Sequence, residues 1–167
     1  GLGAGRTGDA AGAMREADAI LAAADRLDAA QQGYWASIAR IKATAVRAWG
    51  AWAAGDTAAA LAHARDAATR EDETEKHPVT PGEVLPAREL LGDMLLLAGH
   101  AAEAMAAYET SLRNERNRAR SLLGAARAAA RMGDQDGARA WYGRYLELMA
   151  KADGDRAGIA EARAATR

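Results

Sequence analysis

Along the chain, apolar positions are filled mainly by alanine, in stretches peppered with charge and punctuated by glycine. One phrase returns: Gly99-His100-Ala101-Ala102-Glu103-Ala104-Met105-Ala106-Ala107-Tyr108 aligns with Gly133-Asp134-Gln135-Asp136-Gly137-Ala138-Arg139-Ala140-Trp141-Tyr142. Glycine, alanine and tyrosine recur at the fixed interval that separates Gly99 from Gly133, and Leu112 recurs as Leu146. Shorter copies begin at Gly8 and Gly55, and the intervals from Gly8 to Gly55 and from Gly55 to Gly99 are longer than the last. A proline-rich insert accounts for the second interval, and longer helices are needed for the first. The glycine ends one helix in a conformation that a Cβ disfavours. The aspartate after it (Asp9, Asp56, Asp134) suits the cap of the next helix. The small residue five positions on lets two antiparallel helices approach closely, and the following aromatic fills the wedge between pairs.

This pattern predicts helices at about 9–30, 34–54, 56–75, 87–98, 101–115, 118–132, 135–152 and 156–166. Short links force antiparallel pairs. Residues 1–7 look too short to supply a first helix for the Gly8 unit. The chain would then begin halfway through a repeat, as a fragment or a worn terminal unit. The greasiest run, Leu95 to Ala98, shares its helix with Asp93, and no window approaches the about 18 apolar residues of a membrane span.

Composition sharpens this picture. Of 167 residues, 48 are alanine; Leu, Ile and Val total 22, and phenylalanine is absent. So few large apolar residues would suit disorder only with a high net charge, whereas here the net is -1. A folded all-α chain with a core of small side chains is expected, and a β-rich fold is excluded. The lack of cysteine excludes disulfides and thiolate chemistry. Near-neutral charge argues against general nucleic-acid binding. The start Gly1-Leu2-Gly3 is compatible with a removed signal peptide, which leaves cytoplasm and periplasm open. The alanine and arginine bias points to a GC-rich bacterial genome.

Leu91-Gly92, Leu95, Gly99, Ala104, Tyr108 and Ser111 in 85–118, with Leu122, Gly133, Ala138 and Tyr142 in 119–152, resemble the tetratricopeptide repeat (TPR) family. The repeat-ending proline is replaced by Arg116 and Ala150, and Ala125-Ala126 stand where Leu-Gly is usual. The resemblance implies a right-handed superhelical array, a TPR-like α-solenoid of seven to eight helices forming one domain over 1–167. Its parts are a partial first unit 1–32, a unit 33–76, a proline-rich insert 77–86, units 85–118 and 119–152, and a C-terminal helix 153–167. The first helix of each unit would line a concave groove. The positions facing that groove fall at Lys42, Trp49 and Trp52, then Glu89, Asp93, Leu96 and Leu97, then Arg120, Leu123, Arg127 and Arg131. The lysine and asparagine set that grips chaperone tails is not matched.

A protein-interaction module follows: a peptide or partner helix would be bound by Lys42, Trp49, Trp52, Glu89, Asp93, Arg120, Arg127 and Arg131. The three arginines could hold a carboxylate or phosphate, or instead pair with Glu89 and Asp93. Tyr34, Trp35, Trp49 and Trp52 are hot-spot residue types, yet a chain so poor in large aliphatics needs some of them for packing. The same ambiguity holds for Trp141 and Tyr145. The insert His77 to Pro86 reads as a stiff bridge between units rather than a cover for the groove.

The acidic run Glu71 to Glu75 with His77 has metal-ligand types but no second histidine at a ligating spacing, so no metal or cofactor is expected. Arg113, Arg116, Arg118 and Arg120 read as a helix end whose cations suit the dipole. No phosphate-binding glycine loop, zinc motif or nucleophile elbow occurs, so the chain is not read as an enzyme. Two rivals stay open: a self-assembling scaffold segment, dimeric through poorly capped ends, and a small-molecule or metal-binding accessory domain.

Overall fold

A computed structural model describes residues 1–75, 83–153, 156 and 158–167. Most of the proline-rich insert, with His77, Pro78 and Pro81, therefore lies outside the described residues. Among those described the protein is all-helical, with no strand and nine helices packed against neighbours. They are α1 (Leu2–Arg6), α2 (Ala10–Ala29), α3 (Gly33–Ala53), α4 (Thr57–Glu73), α5 (Ala87–Leu97), α6 (Ala101–Asn114), α7 (Ala119–Arg131), α8 (Gln135–Leu148) and α9 (Ile159–Ala165). The chain forms two compact units, 1–91 and 92–167, and the division falls within α5.

The glycine-led turns are built alike. Gly8, Gly55, Gly99 and Gly133 all take positive φ, between +80° and +90°. In each turn the N–H one residue after the glycine donates to the carbonyl five residues back: Asp9 to Ala4, Asp56 to Ala51, His100 to Leu95 and Asp134 to Ala129. That bond closes the outgoing helix. Asp9, Asp56 and Asp134 then accept the backbone N–H of Gly12, Ala59 and Gly137 at 2.7, 2.9 and 2.9 Å, which starts the next helix. His100, at the equivalent place, makes no side-chain cap. The small residues five positions after the glycines, Ala13, Ala60, Ala104 and Ala138, are all buried.

In the first unit, partners climb one helix as they descend the other. Arg40 on α3 reaches Asp25 and Asp28 on α2, and Arg47 reaches Asp18. The two helices are therefore antiparallel. Such exposed pairs are screened by water and add little, so the buried alanines and Val46 between the helices carry more of the packing.

The helix count exceeds expectation by the first element. So short a segment cannot hold a helix alone in water. Gly5, however, lies flush on α3, where a Cβ would come within 2.7 Å of Trp49 Cβ and 2.8 Å of its backbone. Gly1 meets Val46 and Gly5 meets Trp49, so α1 runs parallel to α3. Tertiary contact has made a helix that local sequence would not. The last helix, expected over 156–166, is shorter, Ile159–Ala165, and starts behind Gly158 at φ +92°.

In the second unit the core turns on Tyr108, 1% exposed on α6. Its ring fills the space left by Gly92 on α5 and Gly124 on α7; a Cβ at either would lie 2.7 or 2.3 Å from ring carbons. Deeper along the α6–α7 seam, the buried Ser111 and Ser121 hydroxyls bond each other at 3.0 Å, so neither is orphaned. The order of the two seam contacts, Tyr108–Gly124 then Ser111–Ser121, makes α6 and α7 antiparallel. Leu112, Leu122, Tyr142, Tyr145 and Ile159 extend this core through α8 to α9.

Two glycine-to-alanine changes should move stability in opposite directions. Gly124→Ala drives a methyl into the Tyr108 ring and should cost about 1–3 kcal/mol despite better helix propensity. Gly143→Ala on α8 meets nothing within 4 Å and should gain about 0.5–1 kcal/mol. Urea unfolding of both variants beside the parent checks the pair.

Candidate functional site

The residues expected to face a groove divide between the units. In the first unit, Trp49 is 3% exposed and Glu89 0%, so both are core residues rather than surface. Trp49 fills space that alanine neighbours cannot, and the Arg6 guanidinium lies 5.1 Å from its ring centroid. Its buried indole Nε1 has no hydrogen-bond partner among the described residues. Trp52 is half-buried, and the exposed Lys42 forms an ion pair with Glu83.

That pair belongs to a charged cluster where α4 ends and α5 begins. Glu71 Oε1 accepts the Ala87 N–H at 2.7 Å, capping α5 from another helix. Arg88 donates to Asp72 from Nε and Nη2, at 2.9 and 2.5 Å. Burial pushes the Glu71 carboxyl up to about 7, opposed by the Ala87 N–H and aided by the nearby Glu83 charge. Among the described residues no group of acids and histidines is arranged to hold a metal ion. No helix among them is long and apolar enough to cross a membrane.

In the second unit, α7 places Arg120, Arg127 and Arg131 along one face, at spacings of seven and four. Each has an internal partner. Arg120 donates from Nε to Asp93 Oδ2 at 3.1 Å and pairs with the same oxygen through Nη2. Arg127 grips Glu161 with Nε and Nη2, at 3.0 and 2.6 Å. Arg131 Nη1 donates to the Leu96 carbonyl at 2.5 Å. The pairing expected between these arginines and Asp93 forms, through Arg120. Leu97 stands 56% exposed, while Leu96 and Leu123 are buried.

Two tyrosines lock these pairs. Tyr108 Oη donates to Asp93 Oδ1 at 2.9 Å, and Tyr142 Oη donates to Glu161 Oε1 at 2.5 Å. Arg127 and the Tyr142 hydroxyl hold Glu161 below the usual carboxylate range, against the opposing effect of burial. Burial and the Glu161 bond push Tyr142 up to about 12, so it stays a donor. Asp93, Arg127 and Glu161 stand at the same fixed interval that separates Tyr108 from Tyr142. Sequence reasoning misses Glu161 because α9 offers only one large apolar residue. The repeat interval, counted once more from Arg127, would find it.

No family model matches the chain, and no curated protein matches it.

The Glu71 carboxyl generates a pH prediction. The folded state keeps its proton to about pH 7, while the unfolded chain releases it near the ordinary glutamate value of 4.5. The native state therefore binds more protons in that window, and stability should fall as pH rises from about 4.5 to 7. Glu71→Gln, which keeps an acceptor for the Ala87 N–H, should flatten the slope. Melting temperatures of parent and variant across that window decide it.

Proposed function

We propose that this chain is a TPR-type helical repeat array serving as a protein-interaction module, with the α7 face as part of its binding surface. One observation carries the reading: equivalent side chains return at one fixed interval and do equivalent work, as with Tyr108 on Asp93 and Tyr142 on Glu161. Arrays of this kind present successive helix faces to an extended peptide or a partner helix. The like-built glycine turns and the parallel run of α1 and α3 support stacked hairpins, which the proposed array would wind right-handedly.

The internal pair with Glu161 does not use up Arg127. A guanidinium has five N–H donors, and Arg127 bonds Glu161 through only two of its nitrogens. Its geometry is fixed before a ligand arrives, which lowers the ordering cost of binding. Leu97 and Met132, exposed at the ends of α5 and α7, add apolar area. The favoured ligand is a segment with carboxylates flanking an apolar side chain.

Peptides selected from a random display library against the whole chain should bind through this face. Charge reversal at Arg127 and Arg131 together should weaken the selected peptides about tenfold or more. Reversal of the exposed Arg15 on α2 should leave them unchanged. Melting curves would confirm that the variants fold, and undiminished binding by the double variant would refute the assignment.

A further inference from the structure

A second feature lies at the turn from α6 to α7. Leu112, Arg113, Arg116, Asn117 and Arg144 line an open depression of ≈ 310 Å³. Three arginines thus line one small space with no carboxylate in its lining. The one acid of the turn, Glu115, is engaged by Arg118 at 2.7 Å. We propose that this depression is an oxyanion site for a phosphate group, borne as free phosphate or as a small phosphate monoester.

Magnitudes separate this reading from a helix end with complementary charge. The C-terminus of α6 carries the equivalent of about half a negative charge, which one arginine more than satisfies. Here three arginines line one depression, and their like charges are offset only by an anion or by solvent. Two of them are positioned by neighbours that are not anions. Arg113 Nη2 donates to Thr110 Oγ1 at 2.7 Å, and the Arg144 guanidinium stacks 4.4 Å from the Trp141 ring centroid. Arg116 pairs with no carboxylate among the described residues.

Backbone and lining fit the same ligand. Asn117 sits in the left-handed region, at φ +60°, within the turn beside the arginines. Leu112, 9% exposed, is the one apolar residue of the lining, and the arginines around it can make charge-assisted hydrogen bonds. The volume lies at the lower end of ligand pockets, about 300–1,000 Å³, which favours a small ligand. Arginine forks match the tetrahedral face of a phosphate better than a spherical anion.

The test is a titration of the isotope-labelled whole chain with inorganic phosphate, followed by amide NMR, beside sodium chloride at matched ionic strength. Saturable shifts confined to residues near 112–117 and 141–144, absent with chloride, are expected. Arg116→Ala removes no internal pair and should weaken phosphate about tenfold or more. Arg139→Ala, on α8 and paired with Asp136 instead, should not. Non-saturating shifts, equal shifts with chloride, or an unchanged affinity in Arg116→Ala would overturn the site. Glycerol phosphate serves as the second arm. Tighter binding than inorganic phosphate assigns the site to monoesters, and weaker binding assigns it to the free ion; saturable binding in either order supports the proposal.

Discussion

The second unit depends on fitting a tyrosine into helices otherwise packed through alanine. Alanine lets helix axes approach closely, but it leaves little room for a large ring. Tyr108 is accommodated because Gly92 and Gly124 both face it without a Cβ. Once the ring is in place, its hydroxyl must be satisfied, and Asp93 accepts from it. Asp93 in turn holds Arg120. A packing requirement at one residue thereby sets the orientation of a charged side chain on the next helix.

The following repeat meets the same requirement with the charges rearranged. Tyr142 stands one repeat after Tyr108, but the position equivalent to Asp93 is now Arg127, which cannot accept a proton. The acceptor comes instead from Glu161, one further interval along on α9, and Arg127 turns to the same carboxylate. Both tyrosines find an acid; which helix supplies it depends on the residue in between. This also explains how so short a helix is fixed. On its own α9 would be marginal. Ile159 and Ala162 bury it against the core, while Glu161 joins it to two side chains at once.

What could be read from the sequence was local. Glycine turns, aspartate caps and the buried alanines depend on residues close to each other in the chain, and they stand where the repeated phrase puts them. The short α1 was not legible, because it exists only against Val46 and Trp49 on α3, with the whole of α2 intervening in sequence. Nor could spacing alone assign the side chains of the expected groove. Helical periodicity put Trp49 and Glu89 beside Lys42 and Asp93, yet packing takes the first two into the interior. Glu71 gave no sign beyond its place in an acidic run. Its burial and its bond to Ala87 come from the return of the chain into α5.

The two sets of arginines in the second unit differ in what compensates them. On α7, Asp93 and Glu161 neutralise Arg120 and Arg127, so that face offers oriented donors and keeps one charge, that of Arg131 on the Leu96 carbonyl. Selectivity there would rest on geometry and on apolar contact, which salt screens weakly. At the α6–α7 turn, Arg113 and Arg144 are positioned by a hydroxyl and an aromatic ring, neither of which cancels charge. Attraction there would be electrostatic first and would fall with ionic strength over the Debye length, about 8 Å at physiological salt. Salt dependence thus separates the two surfaces on physical grounds, although they share one residue type and one compact unit.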